Sequence, residues 1–302
     1  PQFDLPVVGA GINGAGIARD AAGRGLKVLL VEQGDIAAAT SQWSTKLIHG
    51  GLRYLEQYEF RLVRESLAER EVVLRQAPHI VAPLSFVLPH EPHLRPAWML
   101  RAGLFLYDHL GQRDTLPASF GVDLSRTPWG AGLKPKFRKG FVYADARVDD
   151  ARLAVFNVMD ARLRGADVRV GTRLVTARRE RNAGGPFWRA TLAGPAKVTT
   201  EVTAKVLVNV AGPWVKRVRD AINGTPSKEN VRHVKGSHIV VPRVHEGEHA
   251  YILQNADKRI VFVIPYQDRY TLIGTTDVPV EAFERPEISR EEIDYLLALA
   301  NT

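Results

Sequence analysis

The sequence predicts an α/β fold in which a doubly wound, Rossmann-like parallel sheet is accompanied by an antiparallel sheet. The first indication is the order of elements near the start, where residues 7–32 read as strand, glycine turn, helix and second strand. The second is the region after residue 230, where short β-prone runs alternate with turns. These runs are Ser237–Val241, Tyr251–Gln254, Ile260–Pro265 and Tyr270–Gly274.

The glycine turn near the start has the spacing of a dinucleotide-binding fingerprint. Gly9 permits the turn, Gly11 lets the backbone approach a pyrophosphate, and Gly14 lets helix and strand pack closely. The helix N-terminus adds unpaired N–H groups and a partial positive charge, which favour phosphates. The apolar run 27–31 ends in Glu32, about 20 residues past the glycines, where a carboxylate can accept hydrogen bonds from a ribose.

One residue conflicts with the first predicted strand. Pro6 stands immediately before Val7, and proline cannot donate a hydrogen bond to a sheet ladder. We keep the strand and expect Pro6 at its beginning or at a local irregularity.

Composition excludes several classes of chemistry. The chain has 302 residues, of which 45% are hydrophobic and 25% charged, which suits one large domain or two smaller ones. Because it has no cysteine, disulfides, thiolate metal sites and cysteine nucleophiles are excluded. We predict no metal site. No apolar run approaches the length of a membrane span, and we expect no signal peptide before the first strand.

The net charge of +8 and the pI of about 9.8 indicate an anionic partner. The Lys and Arg residues are scattered, without the basic, aromatic-interleaved helix that single-strand binders use. We therefore expect no nucleic acid and favour a phosphorylated substrate or the anionic face of a membrane.

Residues 44–54 combine hydroxyls, two cations, a histidine and the pair Gly50-Gly51 without helical or strand periodicity. Glycines cost conformational entropy unless the backbone must approach something closely. A solvated loop would carry few apolar side chains, yet Leu47, Ile48, Leu52 and Tyr54 are present. The composition indicates a loop packed against a ligand.

The next segments alternate helices and strands. Apolar spacing predicts an amphipathic helix over 59–76. A strand over Val81–Leu88 is interrupted by Pro83. Residues 113–140 read as irregular and basic, and a helix then runs from Asp149-Asp150 through Leu163 with acids at its positive end.

The apolar helix 97–110 has two interpretations. Its Trp98, Leu104 and Phe105, with a basic rim of His93, Arg95 and Arg101, suit a helix lying in a membrane interface. A buried core helix is the equally weighted alternative.

The following region returns to the parallel sheet. Val168–Val170 is predicted to rejoin it, and residues 173–203 read as an inserted antiparallel meander. A buried strand over 205–210 then ends in a second glycine turn, 211–214, which is followed by a helix. A second strand-to-glycine turn at one edge of a sheet is a candidate nucleotide contact.

The last helix begins with a capping box formed by Ser289 and Glu292, and its staple pairs Ile288 with Ile293. Its apolar stripe, formed by Ile293, Leu296, Leu297 and Ala300, is expected to remain exposed at the end of the sequence. We therefore expect further chain or a partner to cover it.

Eight segments along nearly the whole chain carry one family pattern: 11–18 (GINGAGIA), 21–26 (AAGRGL), 46–56 (KLIHGGLRYLE), 95–99 (RPAWM), 148–153 (VDDARL), 235–245 (KGSHIVVPRVH), 257–265 (DKRIVFVIP) and 273–277 (IGTTD). They resemble the quinone-linked, FAD-dependent glycerol-3-phosphate dehydrogenases of the aerobic bacterial type. The family usually has an aliphatic residue at Pro6, and its members extend beyond residue 302.

The resemblance implies FAD, held non-covalently, where the glycine spacing alone permits NAD or FAD. It places Glu32 on the adenosine ribose, the loop 44–49 under the flavin, and Ala211-Gly212 near the cofactor. The predicted cofactor-binding residues are Gly9, Gly11, Asn13, Gly14, Glu32, Thr40, Ser44, Lys46, Leu47, His49, Ala211, Gly212 and Trp214.

The resemblance also divides the chain into functional parts. Residues 1–80 and 141–225 are predicted to form the FAD-binding domain, with the meander inserted in the second part. Residues 81–140 are predicted as a cap or substrate segment with membrane contact, and 226–302 as a separate antiparallel sheet, the substrate-domain sheet.

The implied reaction oxidises sn-glycerol 3-phosphate to dihydroxyacetone phosphate. It needs a hydride acceptor, a base for the C2 hydroxyl proton and a cation for the phosphate. His49 and His238 are both candidates for the base, and the β-prone run around His238 favours a structural role for it. Arg53 is the candidate for the phosphate or the developing alkoxide. Tyr54 and Tyr266 are candidate pocket walls, with core packing equally weighted.

The family's electron acceptor is membrane ubiquinone, which implies a cytoplasmic protein on the anionic surface of the inner membrane. A homodimer is left open. The alternatives are an oxidase that uses oxygen, an inactive FAD-binding fragment, and a nicotinamide dehydrogenase, which would be colourless.

Overall fold

The computed structural model describes residues 1–91, 95–111, 113–222, 228–254 and 259–301. The helices within these ranges are α1 (Ile12–Gly23), α2 (Phe60–Gln76), α3 (Ala97–Leu110), α4 (Asp150–Leu163), α5 (Val215–Ala221) and α6 (Arg290–Ala300). The strands are β1 (Gln2–Phe3), β2 (Leu5–Val8), β3 (Val28–Val31), β4 (Leu47–Ile48), β5 (Val81–His90), β6 (Phe120–Asp123), β7 (Lys139–Val148), β8 (Asp167–Arg169), β9 (Arg173–Asn182), β10 (Gly185–Ala193), β11 (Thr199–Ala204), β12 (Val208–Asn209), β13 (His233–Lys235), β14 (His238–Pro242), β15 (Ala250–Gln254), β16 (Ile260–Tyr266), β17 (Tyr270–Gly274) and β18 (Val278–Val280).

The chain divides into two compact units, each built from two stretches of sequence. Unit 1 contains Pro1–Ser44 and Asp149–His233, and unit 2 contains Thr45–Val148 and Val234–Thr302. The predicted boundaries at residues 80, 140 and 225 divide the chain by function, whereas the two units are defined by compactness. These boundaries therefore stay predictions.

The centre of unit 1 is a four-stranded parallel sheet with the order β12-β2-β3-β8. Because alternate residues of a strand face opposite sides, this sheet has two apolar faces. Val7 and Leu30 pack with α1 and α4 on one face. Val8 and Val31 pack on the other face with residues of β9, β10 and β11. The predicted βαβ beginning and the return of the chain at β8 are confirmed.

The second sheet of unit 1 has the order β1-β11-β10-β9. Strands β9, β10 and β11 pair antiparallel with their neighbours, and β1 adds a parallel edge. The predicted meander is therefore confirmed, and it covers one face of the parallel sheet.

Pro6 lies inside β2, at its second residue. The amide of Leu5 donates a hydrogen bond to the carbonyl of Lys27, directly before β3, and the amide of Gly9 donates to Val31, the last residue of β3. The alternate positions of β2 therefore face β12. Pro6 has no N–H to donate to that neighbour, and the pairing with β12 begins only beyond it. The strand predicted over 205–210 is accordingly reduced to Val208–Asn209.

Unit 2 is organised around an eight-stranded sheet with the order β14-β17-β16-β15-β5-β7-β4, with β6 beside β7. The predicted antiparallel pairing after residue 230 is confirmed for β14 to β17. The expectation that these strands form a separate sheet is wrong, because β15 pairs parallel with β5 through Phe86 and Val87. Turn signals reveal hairpins, whereas this pairing joins residues far apart in sequence.

Both faces of the large sheet are covered. Helices α2 and α3 pack on one face, where Leu67 and Leu104 join its apolar residues. Helix α6 packs on the other, where Leu296 and Leu299 are buried. The capping box of Ser289 and Glu292 is confirmed. The expectation of an exposed stripe on α6 is wrong for Leu296, which the sheet of unit 2 covers, whereas Leu297 and Ala300 are exposed.

The helices predicted over 59–76, 97–110 and 150–163 are confirmed. Three expectations for irregular segments are corrected. Residues 44–54 include β4 and the start of a 3₁₀ helix, Leu52–Gln57, and residues 113–140 include β6. Strand β5 continues through Pro83, which pairs with Ala146 of β7. Pairing with β15 begins only at Phe86, so in the described sheet Pro83 has a neighbouring strand on one side only, a position that proline tolerates.

Within the ranges given above, no helix is both long enough and apolar enough to cross a bilayer. The residues His93, Asp257 and Lys258, which belong to the rim and the motif noted in the sequence, lie outside the described residues.

Candidate functional site

The first glycine turn of unit 1 depends on glycine at two positions. Gly9 has a φ of +108°, a region that side chains disfavour, and a Cβ there would lie 2.6 Å from the carbonyl oxygen of Val210. A Cβ at Gly14 would lie 1.8 Å from the carbonyl oxygen of Gly9. These two glycines therefore serve the turn and the packing of α1 against β2.

Gly11 has a different environment, at the N-cap of α1. The nearest atom to a Cβ at Gly11 would be Oγ of Ser41, at 3.1 Å. The same hydroxyl accepts a hydrogen bond from the amide of Ile12, at 2.9 Å. Sequence reasoning missed Ser41, since only the folded loop brings it to the helix N-terminus. The open side of Gly11 and the amides of the first turn suit a pyrophosphate.

Glu32 follows β3 and turns its carboxylate toward the glycine turn. One oxygen accepts the amide of Ala10 at 2.9 Å, and the other accepts the amide of Gly34 at 2.8 Å. A carboxylate has about four acceptor positions, so both oxygens retain capacity for the hydroxyls of a ribose. The position of this half-buried side chain fits the predicted ribose contact.

The second glycine turn of unit 1 follows β12. The side chain of Asn209 donates to the carbonyl of Val215 at 2.8 Å and accepts from the amide of Ala211 at 3.3 Å. Gly212 has a φ of +52°, and Trp214 ends a short 3₁₀ helix that leads into α5. Asn209, which sequence reasoning missed, fixes the backbone of this turn.

The loop after Glu32 is anchored to α4. Ser44 donates from its amide and its hydroxyl to Oδ2 of Asp150, at 3.1 and 2.7 Å. Asp150 is buried at the beginning of α4. Thr40, which is exposed, begins a 3₁₀ turn in the same loop, and Asn13 is exposed in the first turn of α1. The predicted dinucleotide contacts of unit 1 thus come from turns, helix starts and loop hydroxyls.

In unit 2 the candidate residues start at β4. Lys46 has a φ of +60°, and its carbonyl accepts the amide of Val148 at 2.9 Å. Leu47 pairs with Arg147 of β7, which aligns the chain directly before His49. A positive φ in a residue other than glycine is uncommon and is enriched at functional sites.

The tautomer of His49 is set by its own loop. The amide of Gly51 donates a hydrogen bond to Nδ1 of His49, at 3.1 Å. In a neutral ring this contact leaves the proton on Nε2, so Nε2 is a hydrogen-bond donor. Gly51 has a φ of +74°, and a Cβ there would lie 2.5 Å from the ring of Tyr54. This arrangement requires glycine at position 51.

Arg53 and Tyr54 lie on the 3₁₀ helix that follows, and both side chains are exposed. Tyr266, in contrast, packs against the core between the large sheet and α2 and α3. The structure therefore brings His49, Arg53 and Tyr54 into one short segment of unit 2.

His238 begins β14 and is half-buried. Its Nε2 lies 3.1 Å from the hydroxyl of Thr45, which can either donate or accept. Thr45 stands four residues before His49, so the contact links β14 with the segment that carries His49. Because His238 begins its strand, the β-prone run does not commit its side chain to a structural role.

The residues around His238 are held by a carboxylate of α6. Glu292 accepts hydrogen bonds from Lys235 at 2.6 Å, from Ser237 at 2.9 Å and from Thr276 at 2.6 Å. Burial raises the pKa of Glu292, but these hydrogen bonds and the amide of Ser289 outweigh it and lower the pKa to about 2. Sequence reasoning identified Glu292 only as a helix cap.

In the described part of the chain, no group of three or more His, Cys, Asp or Glu side chains is placed so that it could hold a metal ion.

Comparison with known proteins assigns the family. The model of the FAD-dependent oxidoreductase family matches residues 4–302, so the chain belongs to this family. The glycine turn, the helix N-terminus and the Glu32 carboxylate fit FAD, which is the cofactor.

Several relatives match nearly the whole chain. It is 57% identical over 301 residues to a glycerol-3-phosphate dehydrogenase of Pseudomonas aeruginosa and 54% identical over 304 residues to the aerobic glycerol-3-phosphate dehydrogenase of Escherichia coli. It is 52% identical over 299 residues to a D-erythritol 1-phosphate dehydrogenase of Brucella abortus. Each match covers 99% of this chain but 57%, 59% and 59% of the respective relative. The chain thus spans little more than half of their length.

A solved structure shares the fold. It is the glycerol-3-phosphate dehydrogenase of Bacillus halodurans complexed with FAD, with a TM-score of 0.74 and 30% identity. The match covers 99% of this chain and 52% of that protein. The predicted α/β architecture is therefore confirmed, while the roles assigned to individual site residues stay predictions.

Proposed function

We propose that this chain takes part in the FAD-dependent oxidation of sn-glycerol 3-phosphate to dihydroxyacetone phosphate. The observation that carries the proposal is a complete dinucleotide turn in a chain 57% identical to a glycerol-3-phosphate dehydrogenase. FAD, when bound, supplies the hydride acceptor for carbon–hydrogen oxidation. The protein must supply a base for the C2 hydroxyl and a cation for the phosphate.

The hydrogen bonds of the two histidines support different roles. Nδ1 of His49 already accepts the amide of Gly51, so His49 offers Nε2–H as a donor to an oxygen of the substrate or cofactor. The Thr45 hydroxyl beside His238 accommodates either tautomer. We therefore propose His238 for proton acceptance and His49 for hydrogen-bond donation.

Arg53 is proposed to hold the phosphate. Its guanidinium is exposed, close in sequence to His49, and planar, which suits two parallel hydrogen bonds to phosphate oxygens. Tyr54, exposed and in contact with Gly51, is proposed as a wall beside it.

The test is the absorption spectrum of the purified chain, loaded with FAD and kept free of oxygen. We expect a yellow protein that bleaches when sn-glycerol 3-phosphate is added. A yellow protein that does not bleach would indicate an FAD-binding fragment without this activity, and a colourless protein would remove the proposal. D-erythritol 1-phosphate serves as the competing substrate, because one relative of 52% identity is named for it.

Ubiquinone is the proposed electron acceptor, in keeping with the likeness to the aerobic dehydrogenase. An oxygen-using oxidase is the alternative. The bleached protein is mixed with air-saturated buffer in one experiment and with an oxygen-free soluble ubiquinone analogue in another. Faster return of the yellow colour with the quinone supports the dehydrogenase, and faster return with oxygen supports the oxidase.

Membrane association is proposed for the exposed face of α3. Trp98 and Phe105 are 70% and 56% exposed, whereas Leu104 on the opposite face is 1% exposed and lies in the core. Both interpretations of this helix thus have a face that supports them. Arg95 pairs with Glu56, and Arg101 donates to Ser119 at 2.9 Å. Both arginines of the rim therefore have a partner within the chain in addition to the proposed contact with lipid.

Vesicles that contain anionic lipid test this face. We expect the chain to bind them, and the double variant Arg95→Glu/Arg101→Glu to bind much less than the charge-matched surface variant Arg178→Glu/Arg181→Glu on β9. Equal binding by both variants would remove α3 from the proposal. A peripheral position at the cytoplasmic face of the inner membrane depends on this result.

A further inference from the structure

A buried ionic cluster lies beneath the segment that carries His49. Arg70 on α2, Tyr107 on α3 and Asp145 on β7 are each at most 3% exposed. Nη1 of Arg70 lies 2.6 Å from Oδ1 of Asp145, and the Tyr107 hydroxyl lies 2.9 and 2.8 Å from the two carboxylate oxygens. Three separate elements therefore bring their polar groups to one point inside unit 2.

This cluster is costly for stability. Burial raises the pKa of Asp145, and the positive charge of Arg70 opposes that rise. Nε of Arg70 and Oε1 of Glu71, also buried, have no hydrogen-bond partner among the described residues. Since buried ion pairs often contribute less than apolar packing would, stability does not by itself explain the cluster.

The cluster acts on one backbone group, the amide of Gly50. That amide donates a hydrogen bond to the Tyr107 hydroxyl at 2.8 Å and lies 3.4 Å from Oδ1 of Asp145. Because the hydroxyl oxygen accepts from Gly50, its own proton is directed to Asp145. A Cβ at Gly50 would lie 2.7 Å from the Tyr107 oxygen and 2.4 Å from Cδ2 of Leu67, so only glycine allows this approach.

Gly50 stands between His49 and Gly51, and Gly51 donates to the imidazole of His49. The peptide units on both sides of Gly50 are thus fixed, one by the buried cluster and one by the ring itself. A change in the position of the Gly50 amide would reorient both peptide units and with them the direction of Nε2–H.

We propose that Tyr107, Asp145 and Arg70 are positioning residues for His49, acting through the amide of Gly50. None of them needs to touch the substrate. The proposal rests on the role given to His49 under the proposed function, and it adds the buried residues that hold this histidine in its donor orientation.

The primary variant is Tyr107→Phe, which removes the hydroxyl and keeps the ring. Its matched control is Tyr251→Phe in the same unit, whose hydroxyl lies 2.8 and 2.6 Å from the carbonyl oxygens of Trp129 and Ala131 and donates its one proton to this pair. Both variants lose a buried, hydrogen-bonded hydroxyl, so their losses of stability should be similar. Only the first loses a contact to the His49 segment.

The first readout needs neither FAD nor substrate. Hydrogen exchange of the Gly50 amide should be roughly tenfold faster in Tyr107→Phe than in the wild-type chain, and unchanged in Tyr251→Phe. The ¹⁵N spectrum of histidine-labelled protein should show His49 protonated on Nε2 in the wild type and a mixture of tautomers in Tyr107→Phe. Unchanged exchange and an unchanged tautomer in Tyr107→Phe would overturn the proposal.

The second readout is turnover of the FAD-loaded chain. In Tyr107→Phe we expect kcat for sn-glycerol 3-phosphate to fall roughly tenfold with little change in KM, and in Tyr251→Phe neither to change. Equal losses of kcat in both variants would show a structural role only and overturn the proposal. If Tyr107→Phe does not fold, the wild-type chain alone is measured: we expect slow exchange of the Gly50 amide and a His49 ring protonated on Nε2, and fast exchange or protonation on Nδ1 would overturn the proposal.

The two readouts separate this proposal from the proposed function. A wild-type chain that does not oxidise sn-glycerol 3-phosphate but shows the expected exchange and tautomer changes would contradict the function and leave the positioning of His49 supported. A chain that turns over the substrate but shows no change at Gly50 would do the reverse.

Discussion

Two glycine segments, one in each unit, are held by different kinds of contact. In unit 1 the turn 9–14 is fixed by backbone against backbone, with a Cβ at Gly14 only 1.8 Å from a carbonyl oxygen. In unit 2 the pair Gly50-Gly51 is fixed by side chains, since Tyr107 and Asp145 receive the amide of Gly50. The contact between Gly14 and Gly9 is local in sequence, although Gly9 also packs against the carbonyl of Val210, whereas the second arrangement draws on α2, α3 and β7.

This difference matches the two proposed tasks, which are cofactor binding in unit 1 and substrate handling in unit 2. Backbone amides and a helix N-terminus are suited to phosphates of a cofactor, because their direction is set once the turn forms. A histidine and an arginine on a short segment must be held in one orientation to act on a substrate. The buried side chains beneath the segment provide that constraint. Changes in the turn of unit 1 should therefore affect cofactor binding, and changes around Gly50 should affect turnover.

Gly14→Ala should have the largest effect. The new Cβ would meet the carbonyl of Gly9, a backbone atom that cannot rotate away, so α1 must move from β2. We expect loss of FAD binding and a destabilisation of several kcal/mol, about 3 or more. The measurements are the flavin absorbance of the purified protein and its thermal unfolding.

Gly16→Ala is the matched control within the same helix. Outside the backbone of its own helix turn, no atom of the described residues lies within 4 Å of its added Cβ, and alanine favours helix over glycine by about 0.5–1 kcal/mol. The control should bind FAD and be slightly more stable. Loss of FAD in both variants would show that the helix tolerates no change, which would remove the distinction between Gly14 and its neighbours.

Acid should weaken unit 2 through Glu292. The pKa of this carboxyl is about 2 in the folded chain and 4.5 ordinarily. A depressed pKa contributes stability that is fully present above pH 4.5 and lost as the pH falls toward 2, on the order of 3 kcal/mol in total. Glu292→Gln should be less stable at neutral pH and should lose less of its stability over this interval.

Unfolding by urea at a series of pH values measures the effect of Glu292. The exposed capping variant Asp149→Asn, in unit 1, is a suitable control because it changes a helix cap without touching the hydrogen bonds of Glu292. Parallel pH dependence of the wild type and Glu292→Gln between pH 4.5 and 2 would show that Glu292 does not carry the acid sensitivity.

Gly50→Ala should have a smaller effect on stability than Gly14→Ala. Its Cβ would meet the side chains of Leu67 and Tyr107, which can shift, at a cost of about 1–3 kcal/mol. We expect FAD to remain bound while kcat falls. Gly103→Ala on α3, where a Cβ meets no atom within 4 Å, should leave both unchanged. Loss of FAD in Gly50→Ala would contradict the separation of the two tasks.

The turn of unit 1 could be predicted from the sequence because its determinants lie within a short span. The spacing of Gly9, Gly11 and Gly14 and the position of Glu32 are local signals, and each occupies the place expected for it. The capping role of Glu292 is local for the same reason. Its bonds to Lys235 and Thr276 are not, because they join α6 to the strands of unit 2.

The rest depends on contacts distant in sequence. Ser41 reaches the amide of Ile12 only when the intervening strand and loop have folded. In the sequence, Asp145 looks like an ordinary polar residue of a strand. No periodic pattern predicts its pairing with Arg70 and Tyr107. The parallel pairing of β15 with β5 likewise escapes patterns that detect hairpins and helices.

The most direct test of the two-task division is the KM of FAD-loaded Arg53→Ala for sn-glycerol 3-phosphate, with the exposed Arg64→Ala on α2 as control. Loss of a charge-assisted bidentate contact to phosphate should raise KM roughly 10- to 100-fold, with FAD content at the wild-type level. Arg64→Ala should match the wild type. An unchanged KM, or a loss of FAD in Arg53→Ala, would contradict the assignment of substrate handling to the segment of His49 and Arg53.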